Sequence, residues 1–152
     1  MANVLIVHPP IMSKGGGEAV CMYVLEALQP EHNLTLLSGE DPDLEELNNY
    51  YGTNVTEIEV KNIDGVASIG YKLTRNKFGR IGISLVNRYI VNNNLGADFD
   101  LVVSTINDLN LPYESIQYIH YPNFARYDSA DKNDDLIYNL YDKFCDQIAR
   151  PS

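Results

Sequence analysis

The continuous apolar run Val4-Leu5-Ile6-Val7, closed by His8-Pro9-Pro10 and followed by the triplet Gly15-Gly16-Gly17, limits what this chain can fold into more than any other stretch. A strand without polar alternation must be covered on both faces, as the central strands of parallel sheets are. Behind the glycines, Ala19, Val20, Val24 and Leu28 recur at helical spacing, Glu18 stands in the first turn, and Pro30 follows where the helix has ended. Strand, glycine turn and helix together open a βαβ unit.

The alternation continues along the chain. Residues 34–37 predict a second strand, 42–47 a short helix with Pro42 and acids in its first turn, and 57–60 a third strand. The segment 66–91 is helical with an interruption at 76–79, and Ile81, Leu85, Val86, Tyr89 and Ile90 share one apolar stripe. Strands at 99–104 and 116–120 and an amphipathic helix at 136–148 complete the pattern. Such alternation predicts an α/β, Rossmann-like, doubly wound parallel sheet in the order 3-2-1-4-5. With 152 residues and 45% hydrophobic content, a single domain over 1–152 is expected, without repeats or linkers.

Charge and cysteine usage narrow the function classes. A net charge of −10 argues against broad nucleic-acid binding, which needs a basic surface. No stretch approaches the roughly 18 apolar residues of a membrane span, and the N-terminus lacks a signal-peptide layout, so a cytoplasmic location is expected. Cys21 and Cys145 each fall inside an apolar helical pattern rather than a metal-ligand spacing and read as reduced core thiols. Basic residues concentrate at Lys72, Arg75, Lys77 and Arg80. They fit either a solvated helix face or a peripheral contact with the cytoplasmic membrane face.

Ligands of open parallel sheets bind outside the carboxyl ends of the strands, so the residues just after each strand are the candidates for chemistry. The first strand delivers His8 and then the glycine triplet and Glu18 at a helix start, where free N–H groups favour an anion. The spacing is neither a P-loop nor the dinucleotide fingerprint, and a glycine triplet alone also reads as a flexible turn. The fourth strand adds Ser104, Thr105, Asn107 and Asp108, polar groups suited to hydroxyl-rich ligands or to capping a turn. The fifth ends Tyr118-Ile119-His120-Tyr121-Pro122, and His120 there is placed for proton exchange, for holding a hydroxyl, or for a structural bond to a carbonyl.

A first strand, then Gly-Gly-Gly-Glu at a helix start, then a late strand ending Ile-His-Tyr-Pro, resembles the N-terminal half of glycosyltransferase family 4. The similarity is greatest to the branch containing the mannosyltransferases that extend lipid-linked oligosaccharides. It spans most of the chain in architecture and is specific at these two motifs. The resemblance implies a GT-B enzyme with two Rossmann-like domains facing across a cleft, this chain being the acceptor-side one and the C-terminal donor-binding domain lying outside it. Carried over, Gly15, Gly16, Gly17 and Glu18 form a loop near donor phosphates or acceptor, and His120 is the catalytic cleft histidine; the residue reading adds His8, Asn107 and Tyr121 as substrate- or phosphate-binding candidates. Many members have arginine after the glutamate where this chain has Ala19, so a cationic contact from that position is not carried over.

The expected activity is therefore retaining transfer of a hexose from a nucleotide sugar to a glycan or lipid-linked acceptor. The nucleotide sugar serves as substrate, with no further cofactor and no metal held by this half. Alone, the chain is expected to be inactive. The rival expectation is a Rossmann-like module that captures a nucleotide or phosphate without chemistry. An NAD-linked oxidoreductase is disfavoured because no acid is clearly placed after the second strand, Ser38-Gly39-Glu40 being the nearest approach.

Overall fold

A computed structural model of the protein describes residues 1–74 and 79–120, together with Leu140, Lys143 and Gln147. Five strands, β1 (Asn3–Val7), β2 (Asn33–Ser38), β3 (Ile58–Asn62), β4 (Leu101–Ser104) and β5 (Ser115–Gln117), form one sheet in the order β3-β2-β1-β4-β5. Every neighbouring pair is parallel. Helices α1 (Gly16–Leu28), α2 (Leu44–Tyr51), α3 (Gly65–Thr74) and α4 (Gly79–Asn92) connect them. This is the expected Rossmann-like α/β architecture.

The apolar run at β1 is explained by what covers it. Successive side chains of a strand point to opposite faces. Val4 and Ile6 pack with Cys21, Met22 and Leu25 of α1, whereas Leu5 and Val7 pack with Tyr71, Val86 and Ile90 of α3 and α4. These four of the five β1 residues are at most 2% exposed. The helices differ from expectation in which line they bury. In α1 the fully buried line is Glu18, Cys21, Met22 and Leu25, with Val24 and Leu28 at its margin. The helix is apolar on so many sides that spacing alone does not select the inward face. In α4, Val86 and Ile90 point inward as expected, but Leu85 is turned towards α3, where a Cβ on Gly70 would meet its Cδ1 at 2.7 Å.

Boundaries also move. Helix α2 starts at Leu44, after Pro42, because Asp43 is the N-cap and its Oδ1 accepts from the Glu46 N–H at 2.9 Å. Gly52, in the left-handed region at φ 71°, closes it. Strand β4 starts at Leu101, since 95–98 form a 3-10 turn, and β5 ends at Gln117 rather than at 120. The interruption at 76–79 lies largely outside the described residues, as does most of the expected last helix, of which Leu140, Lys143 and Gln147 are helical. Cys145 is also outside them, while Cys21 is buried and unbridged. No described helix is long and apolar enough to cross a membrane.

Gly39 is among the glycines outside the loop that packing sets. At the end of β2, a Cβ on Gly39 would run into the ring of Tyr71, itself only 2% exposed. Gly39→Ala should therefore cost about 1–2 kcal/mol through overpacking, read as a lowered urea midpoint with an unchanged slope.

Candidate functional site

The carboxyl edge of the sheet is built by register. Val7 of β1 lies beside Ser104 of β4, and Ser104 lies beside Gln117 of β5. The residues that follow, His8, Thr105 and Tyr118, emerge side by side, and the Thr105 and Tyr118 N–H groups still donate to the Val7 and Ser104 carbonyls. From His8 the chain makes a 3-10 turn at Ile11–Ser13 and reverses at Lys14, whose φ of 56° and ψ of 45° are left-handed. It then enters α1 through Gly15, the extended N-cap.

The reversal thus falls on Lys14 rather than on a glycine, and the triplet matters for its missing Cβ atoms. A Cβ on Gly15 would lie 2.8 Å from Glu18 Oε2, and one on Gly17 would lie 3.4 Å from His120 Nε2 and 3.7 Å from His8 Cε1. Around Gly16 no described residue comes within 4 Å of that position. The loop is held from outside by Tyr51, whose hydroxyl donates to the Gly15 carbonyl at 2.9 Å, and by an ion pair between Lys14 and Glu46. Burial, with the nearby Glu18 and Tyr50 charges, pushes the Tyr51 phenol up to about 12, so it remains a donor.

Glu18 faces inward and is 8% exposed. Its Oε2 accepts from the Gly15 N–H at 2.8 Å, supplying the cap that a glycine N-cap cannot. Its Oε1 lies 3.6 Å from His8 Nε2, close but beyond hydrogen-bond reach. Burial works to raise the Glu18 carboxyl, but interaction with His8 and the backbone N–H groups of Glu18 and Gly15 outweighs it and holds the group below its ordinary 4.5. Glu18 is therefore an ionised strut of the loop.

His8 is 1% exposed, with Nδ1 2.8 Å from Thr105 Oγ1. Its Nε2 is buried with no hydrogen-bond partner among the described residues. The exposed His120 donates from Nε2 to the Thr105 carbonyl at 3.0 Å, and its ring lies 4.7 Å from that of Tyr118. Cys21 lies beneath: burial first, and the Glu18 charge as well, push its thiol up to about 12 against the lowering contact with the Thr105 hydroxyl, so it is an inert thiol.

The fold thus gathers His8, Gly15, Gly16, Gly17, Glu18 and His120. Asn107 sits in the turn after β4, where its carbonyl accepts from Ser104 Oγ at 2.7 Å. Tyr121 lies outside the described residues, as do Arg75 and Lys77. Lys72 is exposed in the last turn of α3, and Arg80 lies in the first turn of α4. Sequence reasoning missed the central place of Thr105, whose only signal was its position after a strand, and the left-handed Lys14, which carried none. Among the described residues, no group of three or more His, Cys, Asp or Glu side chains could hold a metal ion. No protein-family model, curated protein or solved structure matches the chain.

Proposed function

We propose that this domain forms the acceptor-side wall of a retaining, nucleotide-sugar-dependent glycosyltransferase that transfers a hexose to a glycan or lipid-linked acceptor. The observation that carries the reading is the meeting of its two motifs: a Cβ on Gly17 would touch His120, although the first follows the central strand β1 and the second follows β5, two strands away. Beside this contact Gly16, with no described residue near its missing Cβ, lies at the N-terminus of α1, where the helix dipole and the first-turn N–H groups not taken by Glu18 favour an anion such as a leaving diphosphate. His120 carries its proton on Nε2, towards the Thr105 carbonyl. The neutral ring then offers Nδ1 to accept from a sugar hydroxyl and fix its orientation. A second domain would supply the donor pocket. Contact with an anionic membrane belongs to the same reading, since Lys72 lies beside Ile69 and Leu73, which are 62% and 76% exposed.

The test is transfer and binding with a panel of nucleoside-diphosphate sugars, using this chain and the complete gene product, each with Gly16→Val and His120→Ala. We expect transfer only by the complete product. Gly16→Val should keep the fold, because a Cβ there meets no described residue, yet weaken ligand binding at least about tenfold, a loss of about 1.4 kcal/mol. His120→Ala should slow transfer about a hundredfold through misplacement of the acceptor. Unchanged transfer in both variants would remove this site. Robust transfer by the 152 residues alone would end the two-wall reading, and nucleotide capture without transfer by the complete product would replace it with a binding module.

A further inference from the structure

Thr105 is the first residue after β4 and is fully buried. Its two oxygens go to different histidines, the hydroxyl also touching the protonated Cys21 thiol. The hydroxyl lies 2.8 Å from His8 Nδ1, and the carbonyl lies 3.0 Å from His120 Nε2. No other described residue bonds both rings.

We propose that Thr105 is a positioning residue that sets the proton-bearing nitrogen of both site histidines, so that His120 turns Nδ1, and only Nδ1, to a ligand. A carbonyl can only accept, so the His120 proton is on Nε2 and the remaining ring atom with a lone pair is Nδ1. At His8 the choice is made by two neighbours. The carboxylate oxygen Glu18 Oε1, 3.6 Å from Nε2, is an acceptor and favours a proton on that nitrogen. The Nδ1 lone pair then accepts from the Thr105 hydroxyl, which is left with no proton to give a ligand. The buried order is Thr105 O–H to His8 Nδ1, then His8 Nε2–H facing Glu18, whose other oxygen caps Gly15. Thr105 thereby connects the glycine loop to the histidine on the far side of the site. This assigns Thr105 to orientation of the histidines instead of to direct contact with sugar hydroxyls. The functional consequence rests on the sugar-transfer reading, whereas the proton placement does not.

The experiment is long-range proton–nitrogen NMR on the imidazoles of this chain, which has only three histidines. His32, whose Nδ1 accepts from the Ala2 N–H at 3.3 Å, is the internal reference. In the wild-type chain His8 and His120 should each show one tautomer, protonated at Nε2. Thr105→Val keeps the branched shape and the carbonyl but lacks the hydroxyl. His8 Nδ1 should then move to the position of an unbonded ring nitrogen, with exchange between tautomers, while His120 stays unchanged. Thr105→Ser should restore the His8 signals, which a merely space-filling role would not require. A proton on Nδ1 of either ring in the wild-type chain, or His8 signals untouched by Thr105→Val, would overturn the proposal. The wild-type spectrum decides even where the valine variant fails to fold. Because no ligand or turnover enters the measurement, its failure would leave the sugar-transfer reading standing, and loss of that reading would leave the proton assignment intact.

Discussion

Replacing Leu5 by alanine should destabilise the protein by about 3 kcal/mol. Leu5 is 0% exposed on the central strand and packs into the cluster of Leu37, Tyr71, Val86 and Ile90. Its removal opens a cavity that a sheet pinned on both sides by hydrogen-bonded neighbours cannot close, so the cavity cost adds to the lost transfer free energy. For a domain of this size, about 3 kcal/mol corresponds to a fall of roughly 6–12 °C in Tm, a large part of the roughly 5–15 kcal/mol that holds such a domain together. The control is Ile116→Ala on edge strand β5, where the side chain is 60% exposed and the change should stay within about 0.5 kcal/mol. Equal losses at the two positions would contradict the placement of β1 at the centre of the sheet.

The second large effect is expected at Glu18. Glu18→Ala deprives the Gly15 N–H of its acceptor and takes away the carboxylate facing buried His8. A lost helix cap costs about 1 kcal/mol and the lost carboxylate beside His8 adds to it, so a total of about 1–2 kcal/mol is expected in urea unfolding at pH 7. The pH dependence has a definite sign. The folded carboxyl titrates below its ordinary 4.5, so the folded state binds the proton more weakly than the unfolded chain does. The stabilisation is complete above about pH 4.5 and is lost as pH falls through the lower folded value. Glu18→Gln should therefore flatten the decline in stability below pH 4.5 relative to wild type. An identical acid decline in both proteins would show that Glu18 carries no such interaction.

The two changes fall on parts of the molecule that were unequally visible from sequence. Leu5 belongs to a run whose lack of alternation already required cover on both faces, and the sheet order followed from the succession of strands and helices. Both follow from local periodicity combined with the handedness of crossovers. Glu18 was visible as an acid at a helix start, but its role was not. A carboxylate in a first turn can face a ligand or fold back onto its own N-cap, and here the close approach of His8 and the bare Gly15 turn it inward.

The fold class, the strand order, the central place of β1 and the two motifs at the sheet's carboxyl edge were determined by the sequence alone, because each rests on residue types and spacings within a segment. Which face α1 buries, the reversal at Lys14, the end of β5 at Gln117 and the joining of His8 to His120 through Thr105 were decided only in the tertiary structure. These depend on the register that sets Val7 beside Ser104 and Ser104 beside Gln117, and on hydrogen-bond directions between side chains far apart in the chain. Spacing along a sequence carries no term for either, since a hydrogen bond between distant residues forms only after the sheet has brought them together.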